Sequence, residues 1–395
     1  TCRRAQDGGG YEGDEASRLS LLRDFAQAGV RYVDIESDVT NADEVADPPS
    51  ALRSFHNMEG TDASELGGVL AELKAQSAFN VKLCTKANAL MDNLVHREML
   101  QEMQSLWLRT SFCMGSSGMP SRLMQVLWGG DLVYGAADDA QEELSTLPSL
   151  RSLVKDFRLR HFAKGSNPAQ VYGLVGSSIS ASRSPEIHNN FFAREGIDAI
   201  YIPMQGASAD ECAEFAKAIG TKGLSVTTPF KESIAKAFGE ASADAVNTVE
   251  VRDNEARFAN TDIEGFQVDL ARLIDDRELA RARVLLLGSG GAAWAVLQAL
   301  DGRAGEVLVH ARRADAAKAI AAKAGVGFHP APHEDEFGFD LVVNATPCGM
   351  AGSNLAEESP LELASLTFNE NACVYDLVSR RELTSFLREA KRLGL

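Results

Sequence analysis

Residues 284–300 constrain this chain most. Positions 284–287 are a short run of purely apolar side chains, 288–293 read GSGGAA, and 294–300 have helical apolar spacing. A strand that enters a glycine turn and then a helix is a βα unit. Its glycines let backbone N–H groups and the helix N-terminus approach a pyrophosphate. The next strand, 307–310, ends at Ala311-Arg312-Arg313. Dinucleotide sites place an acid there for a ribose 2′-hydroxyl, whereas an arginine suits a 2′-phosphate and forks on it better than a lysine. The pattern predicts a Rossmann unit for NADP, with Gly288, Gly290, Gly291, Ala292 and Arg312 at the nucleotide. A ligand-free tight turn and two solvated arginines at a helix start are the alternatives.

The same alternation runs through the rest of the chain. Helical spacing covers 19–28, 66–75, 90–103 and 121–127; strands read at 30–35, 80–84, 106–113 and 132–134. Lys82 sits in the middle of one strand, and His56 opens the loop that Thr61 closes. Such αβ units with polar groups at strand ends suggest part of a parallel barrel. Residues 147–162 look helical, and 163–169 (AKGSNPA) read as a linker. A second series follows, with strands at 171–175, 199–204 and 224–226 and helices at 187–195, 210–219 and 266–273. A hairpin is expected over 246–259, a charged connector at 275–283, strands at 341–343 and 374–377, and a helix at 383–395.

Polar groups gather after the strands of the second series. Residues 223–232 read GLSVTTPFKE. Pro229 fixes its own φ and biases Thr228 away from helix, so the chain leaves the strand sharply and presents Thr227, Thr228 and Lys231 at a sheet mouth. Ser182 and Ser184 flank Arg183, Asn247 and Thr248 follow ADAV, and Asp262 ends the triplet 260–262. Residues 344–350, NATPCGM, follow an apolar strand, which puts Asn344, Thr346 and Met350 beside a nicotinamide. Singly each is an ordinary polar turn or surface lysine; together they form a set after successive strands.

The 395 residues allow two or three domains. A net charge of −17 argues against nucleic acid or an acidic membrane as partner, and leaves small molecules captured by a few placed cations. Six scattered cysteines without a CxxC pair read as reduced thiols of a soluble intracellular protein, with no zinc site. No apolar run reaches the roughly 18 residues of a membrane span. The chain opens at Thr1 without Met or a signal segment, which reads as a fragment whose targeting segment is missing. Cytoplasm or plastid stroma is the expected location; oligomeric state is left open.

From residue 171 onward the chain resembles the shikimate dehydrogenase family. The family's serine motif appears at 176–184, VTxPFK at 226–231, AVNT at 245–248, NTD at 260–262, the glycine loop at 288–293 and NATPxGM at 344–350. The resemblance implies that Lys231 and Asp262 are the catalytic pair, that Ser182, Ser184, Thr227 and Asn247 hold substrate hydroxyls and carboxylate, and that the cofactor is NADP. A carbonyl reduction needs a proton donor, and a lysine beside an aspartate can serve. Residues 54–61 (SFHNMEGT), 80–87 (NVKLCTKA), 114–122 (MGSSGMPSR) and 1–9 (TCRRAQDGG) are similar to type I 3-dehydroquinate dehydratase. That likeness implies an imine on Lys82, His56 as general acid/base oriented by Asp7, and Arg3 and Arg122 as substrate ligands. The chain departs from these patterns at Ala181, Ser225, Ala311 and Ser379, and reads DAQEELST at 139–146. A dehydratase barrel without its opening αβ unit has unpaired edges and cannot close.

The expected fold is therefore α/β: a partial (β/α)8 barrel over 1–162, a substrate domain over 170–273, a Rossmann NADP domain over 274–382, and the start of a helical segment over 383–395. The expected function is the fused conversion of 3-dehydroquinate through 3-dehydroshikimate to shikimate. The rivals are a non-catalytic NADP- or metabolite-binding protein, and a quinate/shikimate dehydrogenase with an inactive dehydratase half.

Overall fold

The structure, a computed structural model, describes residues 2–137, 147–162, 170–180, 182–240, 245–252, 255–334, 336–351, 353–380 and 382–395. The expected linker at 163–169, the loop at 139–146 and Ala181 lie outside these residues. Two compact units form: Thr1–Phe230 with Glu250–Glu255, and Lys231–Val249 with Ala256–Leu395.

The first unit opens with a four-stranded parallel sheet in the order β1 (Val33–Glu36), β2 (Ala51–Asn57), β3 (Asn80–Lys86), β4 (Leu108–Met114). Helix α1 (Glu15–Gln27) precedes β1, a short 3-10 turn (Ala42–Glu44) lies between β1 and β2, α2 (Ala63–Ala75) and α3 (Asp92–Glu102) separate the remaining strands in sequence, and α4 (Met119–Met124) follows them. Alternation on a strand sends successive side chains to opposite faces. Val81 and Leu83 of β3 thus join Leu66, Leu70 and Leu73 of α2 and Met99 and Leu100 of α3 in one apolar cluster. Asp62 starts α2 by accepting the Glu65 N–H, and the i, i+4, i+7 leucines give the helix its buried stripe. Truncating Leu70 to alanine there costs about 2–5 kcal/mol. The other face of β3 carries Lys82 and Cys84, both buried.

Two expectations fail in this region. Residues 132–134 form no strand; Asp131 is tied to Arg109 by backbone, and Leu132 gives its carbonyl to the Thr110 hydroxyl. The helix expected over 147–162 is two short helices, α5 (Leu150–Lys155) and α6 (Leu159–Phe162), because Arg158 between them takes φ 55°. The barrel portion is an open row of four strands among the described residues.

A second parallel sheet in this unit orders β6 (Ala199–Gln205), β5 (Gln170–Gly176), β7 (Gly223–Val226). Helices α7 (Ser184–Arg194) and α8 (Ala209–Ala218) connect the strands. Asn189 locks α7 onto β6 by exchanging two 2.8 Å hydrogen bonds with the Tyr201 backbone. The neighbouring strands β8 (Thr248–Arg252) and β9 (Glu255–Ala259) make the expected hairpin.

The second unit holds α9 (Ile234–Ala237), α10 (Thr261–Leu270), α11 (Asp276–Leu279) and a five-stranded parallel sheet. Its strands are β10 (Arg283–Leu287), β11 (Glu306–His310), β12 (Gly327–Phe328), β13 (Phe339–Asn344) and β14 (Phe368–Asp376), in the order β12-β11-β10-β13-β14. Numbered from β10, this is the 3-2-1-4-5 order of a dinucleotide fold, with the glycine loop on the first, central strand. Val284 and Leu286 pack against α10, α12 (Gly291–Leu300) and α13 (Ala314–Ala324) on one face. Leu285 and Leu287 pack against α14 (Ser385–Leu393), through Phe386 and Ala390, on the other. Helix α13 was foreseen only as a helix start after Arg313, with no span; α11 occupies the expected connector.

Candidate active sites

In the first unit, the polar face of β1, β2 and β3 carries a buried cluster. Lys82 Nζ donates to Asp34 Oδ2 at 2.8 Å, and their side chains are 1% and 9% exposed. The ammonium also lies 4.5 Å from the Tyr134 ring centroid, a cation–π contact. Burial alone raises the Asp34 carboxyl, but the charge and hydrogen bond of Lys82, with Ser54 and His56, hold it below its ordinary value. His56 lies inside β2, not in the loop after it, and neither ring nitrogen has a hydrogen-bond partner among the described residues. Burial, aided by Lys82 and Arg3, pulls its pKa down to about 3, so it is a neutral imidazole. Arg122 is buried, with its guanidinium 4.5 Å from the Phe112 ring and Nε unpartnered among the described residues. Arg3 Nε is unpartnered in the same sense.

The expected orientation of His56 by Asp7 is not found. Asp7 instead accepts from Arg4 Nε at 2.6 Å, because the short turn Ala5–Asp7 folds the acid back onto its own neighbour. On the opposite face of β3, Thr85 Oγ1 meets His96 Nε2 at 2.8 Å and His96 Nδ1 meets Ser111 Oγ at 2.6 Å. Complete burial also pulls His96 down to about 3.

The serine cluster lies in the same unit. Ser182 Oγ bonds Ser184 Oγ at 3.2 Å and also accepts the Ser184 N–H. Thr227 follows β7 and donates its N–H to Val175 at 2.9 Å. Gly176 is required there, since a Cβ would come within 2.7 Å of Thr227 Cγ2. Tyr201, buried on β6, turns its hydroxyl toward Ser225 and Ser184, and burial drives its pKa up to about 12. The Thr228–Pro229 peptide is cis.

The second unit brings Lys231, Asn247 and Asp262 together. Lys231 Nζ donates to Asp262 Oδ2 at 2.5 Å, and Asn247 Nδ2 donates to Asp262 Oδ1 at 2.7 Å. The Lys231 carbonyl accepts the Val246 N–H at 2.6 Å, which joins the two motifs by backbone. Asn260 caps α10 by accepting the Asp262 N–H, fixing the acid in the first helical turn. Asp262 lines a cavity of about 400 Å³ with Thr261, Gly265, Phe266, Tyr375 and Ser379 among its walls.

The glycine loop reaches this cluster within the same unit. A Cβ built on Gly291 would stand 3.4 Å from Lys231 Cβ. Gly288 has φ 126°, and its Cβ would strike the Ala345 carbonyl at 2.8 Å. Gly290 is different: a Cβ there meets nothing within 4 Å. Its lack of a side chain leaves open space at the N-terminus of α12, which is the fit a phosphate requires. Arg312 is exposed just beyond β11. Asn344 is fully buried; it donates to Asp376 at 2.9 Å and accepts from Thr346 N–H and Oγ1 at 2.9 and 2.7 Å. Asn344 and Thr346 thus shape their loop with their side chains, while Met350 is 40% exposed.

The family model for the shikimate dehydrogenase substrate binding domain matches residues 174–249. Shikimate dehydrogenase (NADP(+)) of Oleidesulfovibrio alaskensis is 36% identical over 236 residues, 58% of this chain and 82% of that protein. This chain belongs to the shikimate dehydrogenase family. The family model for type I 3-dehydroquinase matches residues 1–162 of this shikimate dehydrogenase family member. The chloroplastic bifunctional 3-dehydroquinate dehydratase/shikimate dehydrogenase of Arabidopsis thaliana is 27% identical over 433 residues, covering 100% of this chain and 68% of that protein. The crystal structure of shikimate dehydrogenase from Aquifex aeolicus is 30% identical, with TM-score 0.49 over 57% of this chain and 84% of that one.

Sequence reasoning about this family member missed Asp34, Tyr134 and Tyr201. Asp34 carried a signal: in a VDIE strand whose residues are all buried, an acid must meet a cation.

Proposed function

We propose that this chain dehydrates 3-dehydroquinate to 3-dehydroshikimate in its first half and reduces 3-dehydroshikimate to shikimate with NADPH in its second. The observation that carries the reading is the Lys231–Asp262–Asn247 cluster set against Gly291, in a chain that matches both families. Residues 1–162 are read as the dehydratase half, 170–273 as the substrate domain, 274–382 as the NADP domain and 383–395 as the opening of a helical segment.

The nucleotide would rest on Gly288, Gly290, Gly291 and Ala292, with Arg312 at the 2′-phosphate and the loop of Asn344, Thr346 and Met350 beside the nicotinamide. Relatives named for NADP(+) support this, as do the open space at Gly290 and the exposed arginine. The bound cofactor supplies hydride. Lys231 then donates a proton to the developing alkoxide and stabilises its charge, while Asp262 keeps the ammonium oriented and accepts a substrate hydroxyl. Ser182, Ser184, Thr227 and Asn247 hold the remaining hydroxyls and the carboxylate.

In the dehydratase half, Lys82 forms the imine with the substrate ketone, neutral His56 moves the proton that water loss requires, and Arg3 and Arg122 bind the anionic substrate. One observation favours a second reading in which this half is slow: His56 lacks the Asp7 contact. Cytoplasm or plastid stroma is proposed as location. It is supported by the chloroplastic relative and by the fact that no helix among the described residues is long and apolar enough to cross a membrane.

Two assays test the reading: shikimate-dependent reduction of NADP, and formation of the conjugated enone from 3-dehydroquinate followed in the ultraviolet. Turnover in both is expected. NADPH binding without either activity overturns it in favour of a non-catalytic binding protein; the first activity alone supports the dehydrogenase with a silent dehydratase half.

A further inference from the structure

We propose that Asp34 is a catalytic counter-ion of the Lys82 nitrogen, carrying its proton during imine formation and pairing with the iminium that results. The proposal rests on the dehydratase reading above. The register places the two residues on either side of β2: Asp34 pairs with Leu52, and Lys82 pairs with Ser54. Val33 and Ile35 enter the apolar cluster with Leu22 of α1, so alternation turns Asp34 to the face that carries Lys82. There its Oδ2 stands 2.8 Å from Nζ, and both side chains are nine-tenths or more buried.

The stoichiometry explains why a fixed carboxylate belongs beside this nitrogen. An ammonium and a ketone give an iminium and one water, with one positive charge on nitrogen at both ends. Between those ends the nitrogen must lose a proton so that its lone pair can attack the carbonyl carbon. The acceptor already hydrogen-bonded to it is Asp34. A proton then shifts from nitrogen to the former ketone oxygen, giving a neutral carbinolamine. Protonated Asp34 returns its proton to the departing hydroxyl, which leaves as water, and the carboxylate again faces a cation.

The other groups around the nitrogen cannot take that part. The Tyr134 ring offers a π face only. His56, a neutral imidazole, has no hydrogen bond to the nitrogen among the described residues and is kept for the later proton transfer of water loss. Arg3 and Arg122 are cations, and Cys84 is a buried thiol whose pKa burial raises. The Ser54 hydroxyl, fully buried on the same sheet face, supports the carboxylate.

The test uses the full chain as Asp34→Asn and Asp34→Glu, with two readouts at Lys82 read by peptide mass spectrometry. Borohydride trapping with 3-dehydroquinate reports the iminium; limited acetylation without substrate reports the free amine. In Asp34→Asn, trapping is expected to fall at least tenfold while acetylation rises, because the buried nitrogen loses the carboxylate that engages it at 2.8 Å. A generally disturbed pocket does not move the two readouts in opposite directions. Asp34→Glu is expected to keep both near the unmodified level. Undiminished trapping in Asp34→Asn overturns the proposal. Should that variant lose its fold by circular dichroism, a folded Asp34→Glu decides: retained adduct supports the proposal, and lost adduct overturns it. If the unmodified chain gives no Lys82 adduct, the dehydratase reading itself fails, and this proposal with it.

Discussion

Replacing Lys231 by alanine separates catalysis from folding at one position. Lys231 and Asp262 meet at 2.5 Å, yet their side chains are 18% and 33% exposed. A pair so open to solvent contributes no more than about 1 kcal/mol to stability. Losing that much lowers the melting temperature by about 2–4 °C in a unit of 150–250 residues. The loss of a proton donor is much larger. It should cut kcat for shikimate oxidation by roughly 10²–10⁴-fold, or about 3–5 kcal/mol at 1.36 kcal/mol per decade. NADPH affinity should hold, because the nucleotide rests on Gly288–Ala293 and Arg312. Asp262→Asn should lower kcat as well, and the double variant should lose far less than the sum of the two single losses, since both act through one proton. The assay is steady-state oxidation for the three variants, with NADPH titration and thermal melts on each. Near-normal kcat in Lys231→Ala refutes the reasoning, and so does a fall in kcat that a collapse in melting temperature accounts for.

Arg312→Ala should weaken NADPH by about 1–3 kcal/mol, roughly five- to 150-fold, and leave NADH unchanged; equal titration curves for the two nucleotides in the unmodified chain contradict the assignment. Buried His56 and His96 stay neutral down to about pH 3, whereas in the unfolded chain they take up protons below about 6.5. Their contribution is therefore complete above pH 6.5 and is lost as pH falls toward 3, at about 1.4 kcal/mol per pH unit for each histidine. Denaturant unfolding between pH 7 and 5 should show that slope, and His96→Gln should remove about half of it; an unchanged slope speaks against a neutral buried His96. Gly288→Ala should lower the melting temperature even without nucleotide, because its φ of 126° and the Ala345 carbonyl oppose a side chain.

Much of the fold was legible because its strands are short apolar runs between glycine or proline turns, as at Val284–Leu287 and at Leu224–Val226 before Pro229. Lys231 and Asp262 were legible because one follows a strand and the other a hairpin; Asn247, which immediately precedes β8, was legible through its motif. Helix Ala314–Ala324 was hidden by its own composition: its buried face is Ala317 and Ala321, too small to mark a period. The supposed strand at 132–134 failed because apolar residues alone do not supply a ladder partner, and Thr110 takes the Leu132 carbonyl with a side chain. Asp34 escaped notice because polar alternation in a four-residue strand ordinarily means a solvated face, and only the opposing Lys82 reverses that meaning. Asp7 was assigned by its place in a motif, but its local turn with Arg4 decided its partner.

Gly288 and Gly290 stand two residues apart and answer to different judges. At Gly288 the backbone angle and the Ala345 carbonyl forbid a side chain whether or not anything is bound. At Gly290 the protein itself leaves room, so the objection to a methyl group comes from the ligand alone. A library of this chain sorted only for expression would accordingly let position 290 drift while holding 288. The same library, selected in a host that lacks this activity for growth without the pathway's product supplied, would hold both. The difference between the two surviving populations would mark the nucleotide's outline one backbone position at a time, without a bound complex ever being seen.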